Sequence, residues 1–214
     1  MKNEKCWYKN VCQESCENCI RYAEMKYLLD HSGIPEKRQY PIELIAGSDY
    51  REYLKLADIK SDIENFVNDG EQLYICSKET GNGKTSWAIK LMLKYFDCIW
   101  AGNGFRQRAM FIHVPTFLTK LKDFTNPLLS VYKEMITKVD LVVWDDIAST
   151  KLSDYDVQQL LIFVDGRIVD TKANIFTGNI VSLSELTTSL GARLASRIWN
   201  RSEVIEFKGK DRRS

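Results

Sequence analysis

Residues 73–86, Leu-Tyr-Ile-Cys-Ser-Lys-Glu-Thr-Gly-Asn-Gly-Lys-Thr-Ser, constrain this chain more than any other stretch. A short apolar run of strand length passes through a glycine-bearing turn into residues 85–96, where Trp87, Ile89, Leu91, Met92 and Tyr95 mark an amphipathic helix. Strand, tight turn and helix in that order are what a phosphate-binding loop requires. Gly81 and Gly83 let backbone N–H groups face a phosphate with no Cβ in the way. The helix N-terminus behind them adds its dipole. Lys84 is placed to reach the β- and γ-phosphates of ATP, and the Thr85 hydroxyl to bind Mg²⁺. Thr80, Asn82 and Ser86 complete the nucleotide-binding stretch. One departure stands out: the usual pattern has a glycine five residues before Gly83, and here that residue is Lys78. The bland alternative is a glycine-rich turn beside a surface lysine. The strand, the Gly-Lys-Thr and the following helix all speak against it.

The rest of the chain fits around such a loop. With 214 residues there is room for one α/β domain and a small extra module. Beyond residues 72–76, apolar runs at 109–114, 141–144, 173–176 and 204–207 predict strands. Helical patterns lie at 20–29, 58–67, 85–96, 116–124, 128–138, 157–169 and 191–199. Strands alternating with helices predict an α/β fold with a doubly wound parallel sheet flanked by helices. Residues 1–47 form a first, cysteine-bearing region and residues 48–214 the α/β unit. No apolar run is long enough to span a membrane, and the polar N-terminus lacks a signal-peptide core, so a cytoplasmic location is expected. The net charge is only +1, so contact with nucleic acid must come from a local patch.

Residues 141–146, Leu-Val-Val-Trp-Asp-Asp, are an apolar strand ending in two carboxylates. Behind a phosphate loop, Asp145 is expected to hold Mg²⁺ through water, and Asp146 to orient or deprotonate the attacking water. Asn179 follows a further apolar strand, where a polar side chain can touch the γ-phosphate or be an ordinary turn residue. Arg193 and Arg197 lie four apart and share a helix face. They are either a solvated face or a source of an arginine for a neighbour's nucleotide. Arg212 and Arg213 either reach the nucleotide in cis or form a loose basic tail.

Four of the six cysteines crowd the start of the chain: Cys6, Cys12, Cys16 and Cys19. A reducing cytosol disfavours disulfides, so these four suggest a Zn²⁺ site, with the Cys16/Cys19 pair as its close couple. An iron–sulfur cluster takes the same ligands, free thiols are the plain alternative, and His31 is a further candidate ligand. Cys76 and Cys98 are expected to be small buried apolar residues.

On residues 77–88, 141–147, 177–179, 190–198 and 207–213 the chain resembles AAA+ helicase loaders of the DnaC/DnaI type, and looks most like versions carried by phages and prophages. The resemblance covers most of the second region. It implies the AAA+ P-loop fold, ATP hydrolysis, and a DnaB-type replicative helicase as partner. It places Asn179 as sensor 1, Arg197 as arginine finger and Arg213 as the C-terminal sensor arginine. Single-stranded DNA contacts in such loaders fall where this chain has Lys122, Phe124, Ser153 and Tyr155. An aromatic there can stack a base, though Phe124 and Tyr155 could equally be partly buried. The cysteine-rich N-terminus looks like the zinc-binding, helicase-docking module of such proteins. Self-association through AAA+ interfaces follows from the same likeness. Transposition helper ATPases share these motifs, and a nucleotide-gated helicase-binding adaptor or inhibitor with little hydrolysis is the other alternative.

Overall fold

The computed structural model of the protein describes residues 6, 12, 19–39, 43–123, 129–149 and 151–210. The apolar runs form strands β1 (Gln72–Cys76), β2 (Ala109–His113), β3 (Leu141–Ile147), β4 (Ala173–Gly178) and β5 (Glu203–Glu206). They pair in parallel in the order β2-β3-β4-β1-β5. The largely apolar central strands β1, β3 and β4 suit a sheet covered on both faces. The cover is supplied by α1 (Ile20–Asp30), α2 (Tyr50–Ser61), α3 (Ile63–Asn68), α4 (Lys84–Ile99), α5 (Val114–Leu121), α6 (Leu129–Lys138), α7 (Asp154–Val169) and α8 (Leu183–Trp199). Single 3₁₀ turns stand at Glu36–Arg38 and Gly47–Asp49.

Side chains alternate across the strands and divide the core in two. Leu73, Ile75, Phe111, Val143 and Ile175 pack with α1 to α4. Tyr74, Ile112, Trp144 and Phe176 pack with α5 to α8. Helix α1 belongs to the first of these layers. Its Met25, Leu28 and Leu29, with Ile34 beyond it, are buried in one cluster with Leu91 and Met92 of α4. Polar ties reinforce the packing. The Phe111 N–H donates to the Ser32 carbonyl at 2.6 Å. The Glu24 carboxylate accepts the Gly102 and Gly104 N–H groups at 3.1 Å each.

Several predicted boundaries move. The helix expected at 58–67 is two helices, α2 and α3, broken at Asp62 (φ −117°, ψ 28°). The Asn65 side-chain amide donates to Asp62 Oδ1 at 2.7 Å at the break. The helix expected at 191–199 is the second half of α8, which Gly191 interrupts with φ 75° and ψ 155°. Its first half buries Leu186 and Leu190 in the same cluster as Leu194 and Ile198. Strand β2 stops at His113 because Pro115 sits in the first turn of α5, where its missing N–H costs nothing. Cys76 is buried as expected, and burial followed by the Glu206 charge pushes its thiol up to about 12. Cys98 is exposed, contrary to expectation, because it falls on the outer side of α4 near its end.

The N-terminal edge of the sheet is tied by two polar clusters. Arg167, on α7, is fully buried. Its guanidinium donates to the carbonyls of Ile136 (2.6 Å), Val139 (2.8 Å), Asp140 (3.2 Å) and Ala173 (2.6 Å), and to Asn174 Oδ1 (2.8 Å). Burial pushes its pKa down to about 9, against the pull of Asp140 and Asp170, so it stays charged at neutral pH. The second cluster centres on Asp140, which pairs with Arg108 and, at 2.9 Å, with Lys172. Arg108, Asp140 and Lys172 stand just ahead of β2, β3 and β4, so one carboxylate staples three strand starts. Burial alone would raise the Asp140 pKa, but hydrogen bonds from Arg108 and Lys172 hold it below its ordinary value.

Replacing Arg167→Ala orphans several buried carbonyls and is expected to cost about 3 kcal/mol or more in denaturant unfolding. Asp140→Asn is expected to cost about 1–3 kcal/mol at neutral pH. That stabilisation is fully present above the unfolded carboxylate value of about 4 and is lost as pH falls through the lower folded value. The unfolding curves of wild type and Asp140→Asn should therefore converge in acid.

Candidate functional site

Because all five strands run in parallel, their C-terminal ends share one edge of the sheet, where α/β folds bind ligands. The chain leaves β1 into the phosphate loop there. Gly81 (φ 68°) and Gly83 (φ 102°) adopt left-handed backbone, and Gly83 caps α4. Buried Ser77 braces the loop entry: its Oγ accepts from the Glu79 N–H at 3.1 Å and from Asn82 Nδ2 at 2.6 Å. Lys78 is exposed and has ordinary backbone, so the missing glycine costs no strain. Asn82 is fully buried and also donates to the Gly209 carbonyl at 3.3 Å, which joins the loop to the chain beyond β5. Lys84 Nζ lies within the loop and donates to the Glu79 carbonyl at 2.7 Å and Asn82 Oδ1 at 3.3 Å. Residues 81–86 and Arg38 line a cavity of about 250 Å³.

The acidic pair meets the loop from β3. Trp144 pairs with Phe176 but Ile147 pairs with Gly178, so β3 carries one extra residue at the pair. Asp146 takes up the bulge with φ 64°. Such bulges re-aim side chains beside sites. The Thr85 and Thr177 hydroxyls both donate to Asp145 Oδ1, at 2.7 Å each. The Asp146 N–H donates to Thr177 Oγ1 at 2.9 Å. Burial pushes the Asp145 carboxyl above its ordinary range; the two threonine hydroxyls oppose this and the Asp146 charge adds to it. Asp146 is more open, and His113 Nε2 stands 3.9 Å from its Oδ2. Gly178 lets β4 close on the bulge: a Cβ there would lie 2.6 Å from the Tyr74 hydroxyl and 3.0 Å from the Ile147 carbonyl. Asn179 follows, half-buried, its side chain unpartnered among the described residues.

Lys84, Thr85, Asp145, Asp146 and Asn179 are thus brought to one edge. Thr177 was not expected from the sequence, although a threonine between the apolar run 173–176 and Gly178-Asn179 was a visible signal. Ser77 and Arg38 had no comparable signal. The oxygens of Thr85 and Asp145 beside the Lys84 amine fit a magnesium–polyphosphate group, a hard cation taking hard oxygen donors.

The remaining candidates lie elsewhere. Arg197 Nε approaches Asp165 Oδ1 of α7 at 2.6 Å, and Arg193 pairs with the same carboxylate at 3.5 Å. Lys122 and Ser153 come together through buried Asp156: the Lys122 amine donates to its Oδ2 at 3.0 Å and the Ser153 hydroxyl at 2.6 Å. Ser153 and Asp156 form the capping box of α7, and Tyr155 is half-buried beside it. Cys6, Cys12 and Cys19 are free and half-buried. Among the described residues no three His, Cys, Asp or Glu side chains gather to hold a metal. His31 instead places Nδ1 2.8 Å from the Tyr27 carbonyl. Cys16, Phe124, Arg212 and Arg213 lie outside the described residues. No described helix is long and apolar enough to cross a membrane.

No protein-family model matches the chain, and no curated protein sequence is significantly similar to it. Several solved structures share its fold. The DnaC helicase loader superposes with a TM-score of 0.63 at 19% identity, covering 86% of this chain and 99% of that one. DnaI gives 0.65 at 17% identity, covering 82% and 95%. The replication initiator DnaA bound to AMPPCP and single-stranded DNA gives 0.59 at 14% identity, covering 86% of this chain and half of that one. At these identities the likeness establishes an architecture: a five-stranded parallel sheet between helices, built as in the DnaC and DnaI structures and in part of DnaA.

Proposed function

We propose that the protein is an ATP-hydrolysing loader that places a ring-shaped, DnaB-type replicative helicase on single-stranded DNA during replication initiation. The observation that carries this reading is the convergence of the Thr85 and Thr177 hydroxyls on Asp145 beside the Lys84 loop. That constellation supports nucleotide chemistry, and the shared architecture with a helicase loader and a nucleotide-bound replication initiator supports the biological setting.

In this reading the N–H groups at Gly81 and Gly83 and the Lys84 amine hold the phosphates of ATP, with Thr80, Asn82 and Ser86 completing the cradle. Thr85 and Asp145 are the residues that would hold Mg²⁺, whose charge would offset that of the phosphates. Thr177 fixes Asp145 from one side and the Asp146 backbone from the other. Asp146, as carboxylate, takes the proton of the attacking water, and the bond to the terminal phosphorus breaks on its ADP side. Asn179 orients that water. Arg197 serves a neighbouring copy as arginine finger, exchanging Asp165 for that copy's nucleotide, so loading involves self-association. Arg213 is proposed as the sensor arginine. Lys122, Phe124, Ser153 and Tyr155 are proposed as the single-stranded DNA contacts. Residues 1–47 are proposed as the helicase-docking region and 48–214 as the motor. On sequence spacing alone, Cys6, Cys12, Cys16 and Cys19 are proposed as zinc ligands.

The test is ATP turnover with and without single-stranded DNA and helicase. Lys84→Ala should lose nucleotide binding, while Asp146→Asn should keep binding and lose about 10²–10⁴-fold in turnover. Stimulation by DNA or helicase, with unwinding from closed single-stranded circles, supports the loader. Binding without turnover under every condition would overturn the enzymatic reading in favour of a nucleotide-gated adaptor. Separately, elemental analysis of the purified protein should give one zinc per chain, and metal-free protein retaining helicase binding would remove zinc from the account.

A further inference from the structure

The nucleotide cavity is not built by the α/β unit alone. Its lining combines residues 81–86 with Arg38, which ends the 3₁₀ turn Glu36–Arg38 between α1 and α2. That turn is anchored from several directions. The Arg38 N–H donates to the Pro35 carbonyl at 2.7 Å. The Gln39 side chain donates to the carbonyls of Leu29 (3.2 Å) and Ile34 (3.0 Å). Ser32 joins the Leu29 carbonyl at 2.6 Å and accepts the Ile34 N–H at 3.0 Å. Leu29 and Ile34 are themselves buried in the core shared with α4. The backbone that carries Arg38 therefore stands on the same apolar cluster as the helix behind the phosphate loop.

Among the described residues that line this cavity, Arg38 and Lys84 are the charged ones, and both are cationic. The Arg38 side chain is exposed and makes no ion pair or hydrogen bond with any described residue. A guanidinium presents a fork of donors that matches phosphate oxygens in a way an ammonium cannot.

We propose that Arg38 is a phosphate ligand of the bound nucleotide, contributed by the segment that precedes the α/β unit, so that nucleotide binding fixes that segment against the loop. The proposal rests on the nucleotide-site reading above. Through it, nucleotide occupancy is communicated to α1, because the Arg38 turn is hydrogen-bonded to the end of that helix.

The experiment measures affinity for Mg²⁺–ATP and Mg²⁺–ADP by calorimetry on the full chain, for wild type, Arg38→Ala, Arg38→Lys and Lys84→Ala. It adds hydrogen exchange of residues 34–39 with and without nucleotide. Loss of one charge-assisted pair predicts about 10- to 100-fold weaker binding for Arg38→Ala. Arg38→Lys should recover part of it, and the melting temperature without nucleotide should be unchanged for both. Nucleotide should slow exchange at 34–39 in wild type and not in Arg38→Ala. If Lys84→Ala loses binding but Arg38→Ala binds and protects like wild type, the Arg38 assignment is wrong and the nucleotide site stands. If Lys84→Ala also binds like wild type, the nucleotide-site reading fails and takes this proposal with it.

Discussion

The guanidinium of Arg167 sets the geometry on which the sheet is built. All five of its N–H donors are used, and every acceptor is neutral: four backbone carbonyls and the Asn174 amide oxygen. A buried charge is tolerable only when its donors are satisfied this completely. The acceptors come from the end of α6, the approach to β3 and the start of β4, so one side chain joins segments that are far apart in sequence. Asn174 extends the set, taking Trp144 Nε1 at 2.9 Å and giving its amide to Gln72 at 2.7 Å, which brings in β3 and β1.

The opposite edge is arranged differently. There the polar groups are few and shared, and the buried Asp145 carboxylate is held by hydroxyls and not by a cation. Asp145 has a raised pKa where Asp140, at the other end of the same strand, has a lowered one. Both are buried enough to suffer desolvation. The difference is that Asp140 has two cationic partners, whereas Asp145 has two threonines and an acidic neighbour. A carboxylate left short of positive charge is suited to receive a cation. The stapled edge of the sheet and the receptive edge are thus separated by the length of a strand.

The glycine loop and the apolar-Asp-Asp run were legible in the sequence because their chemistry is local: each demands particular residues at fixed spacing. The strands were legible for a related reason, since a sheet covered on both faces needs unbroken apolar runs. What escaped was set by distant contacts. Thr177 matters only because β3 and β4 lie side by side, which sets its hydroxyl 2.7 Å from the Asp145 carboxylate. Ser77 braces the loop entry through side-chain hydrogen bonds that no spacing rule encodes. The first half of α8 was hidden by Gly191, which looks like a helix start and is instead an interruption. Arg38 lies in the first region, far along the chain from the loop, and only folding brings it there.

Helix α1 lends Met25, Leu28 and Leu29 to the cluster that also holds α4 and β2. A truncation meant to isolate the α/β unit would strip this cover and leave apolar surface facing water. Such a fragment would be prone to aggregate, so a deletion of the N-terminus made to test the proposed docking role would report a folding defect as well. Point changes on the outer face of α1, at positions such as exposed Arg21 or Lys26, would leave the shared core intact and are the cleaner genetic dissection.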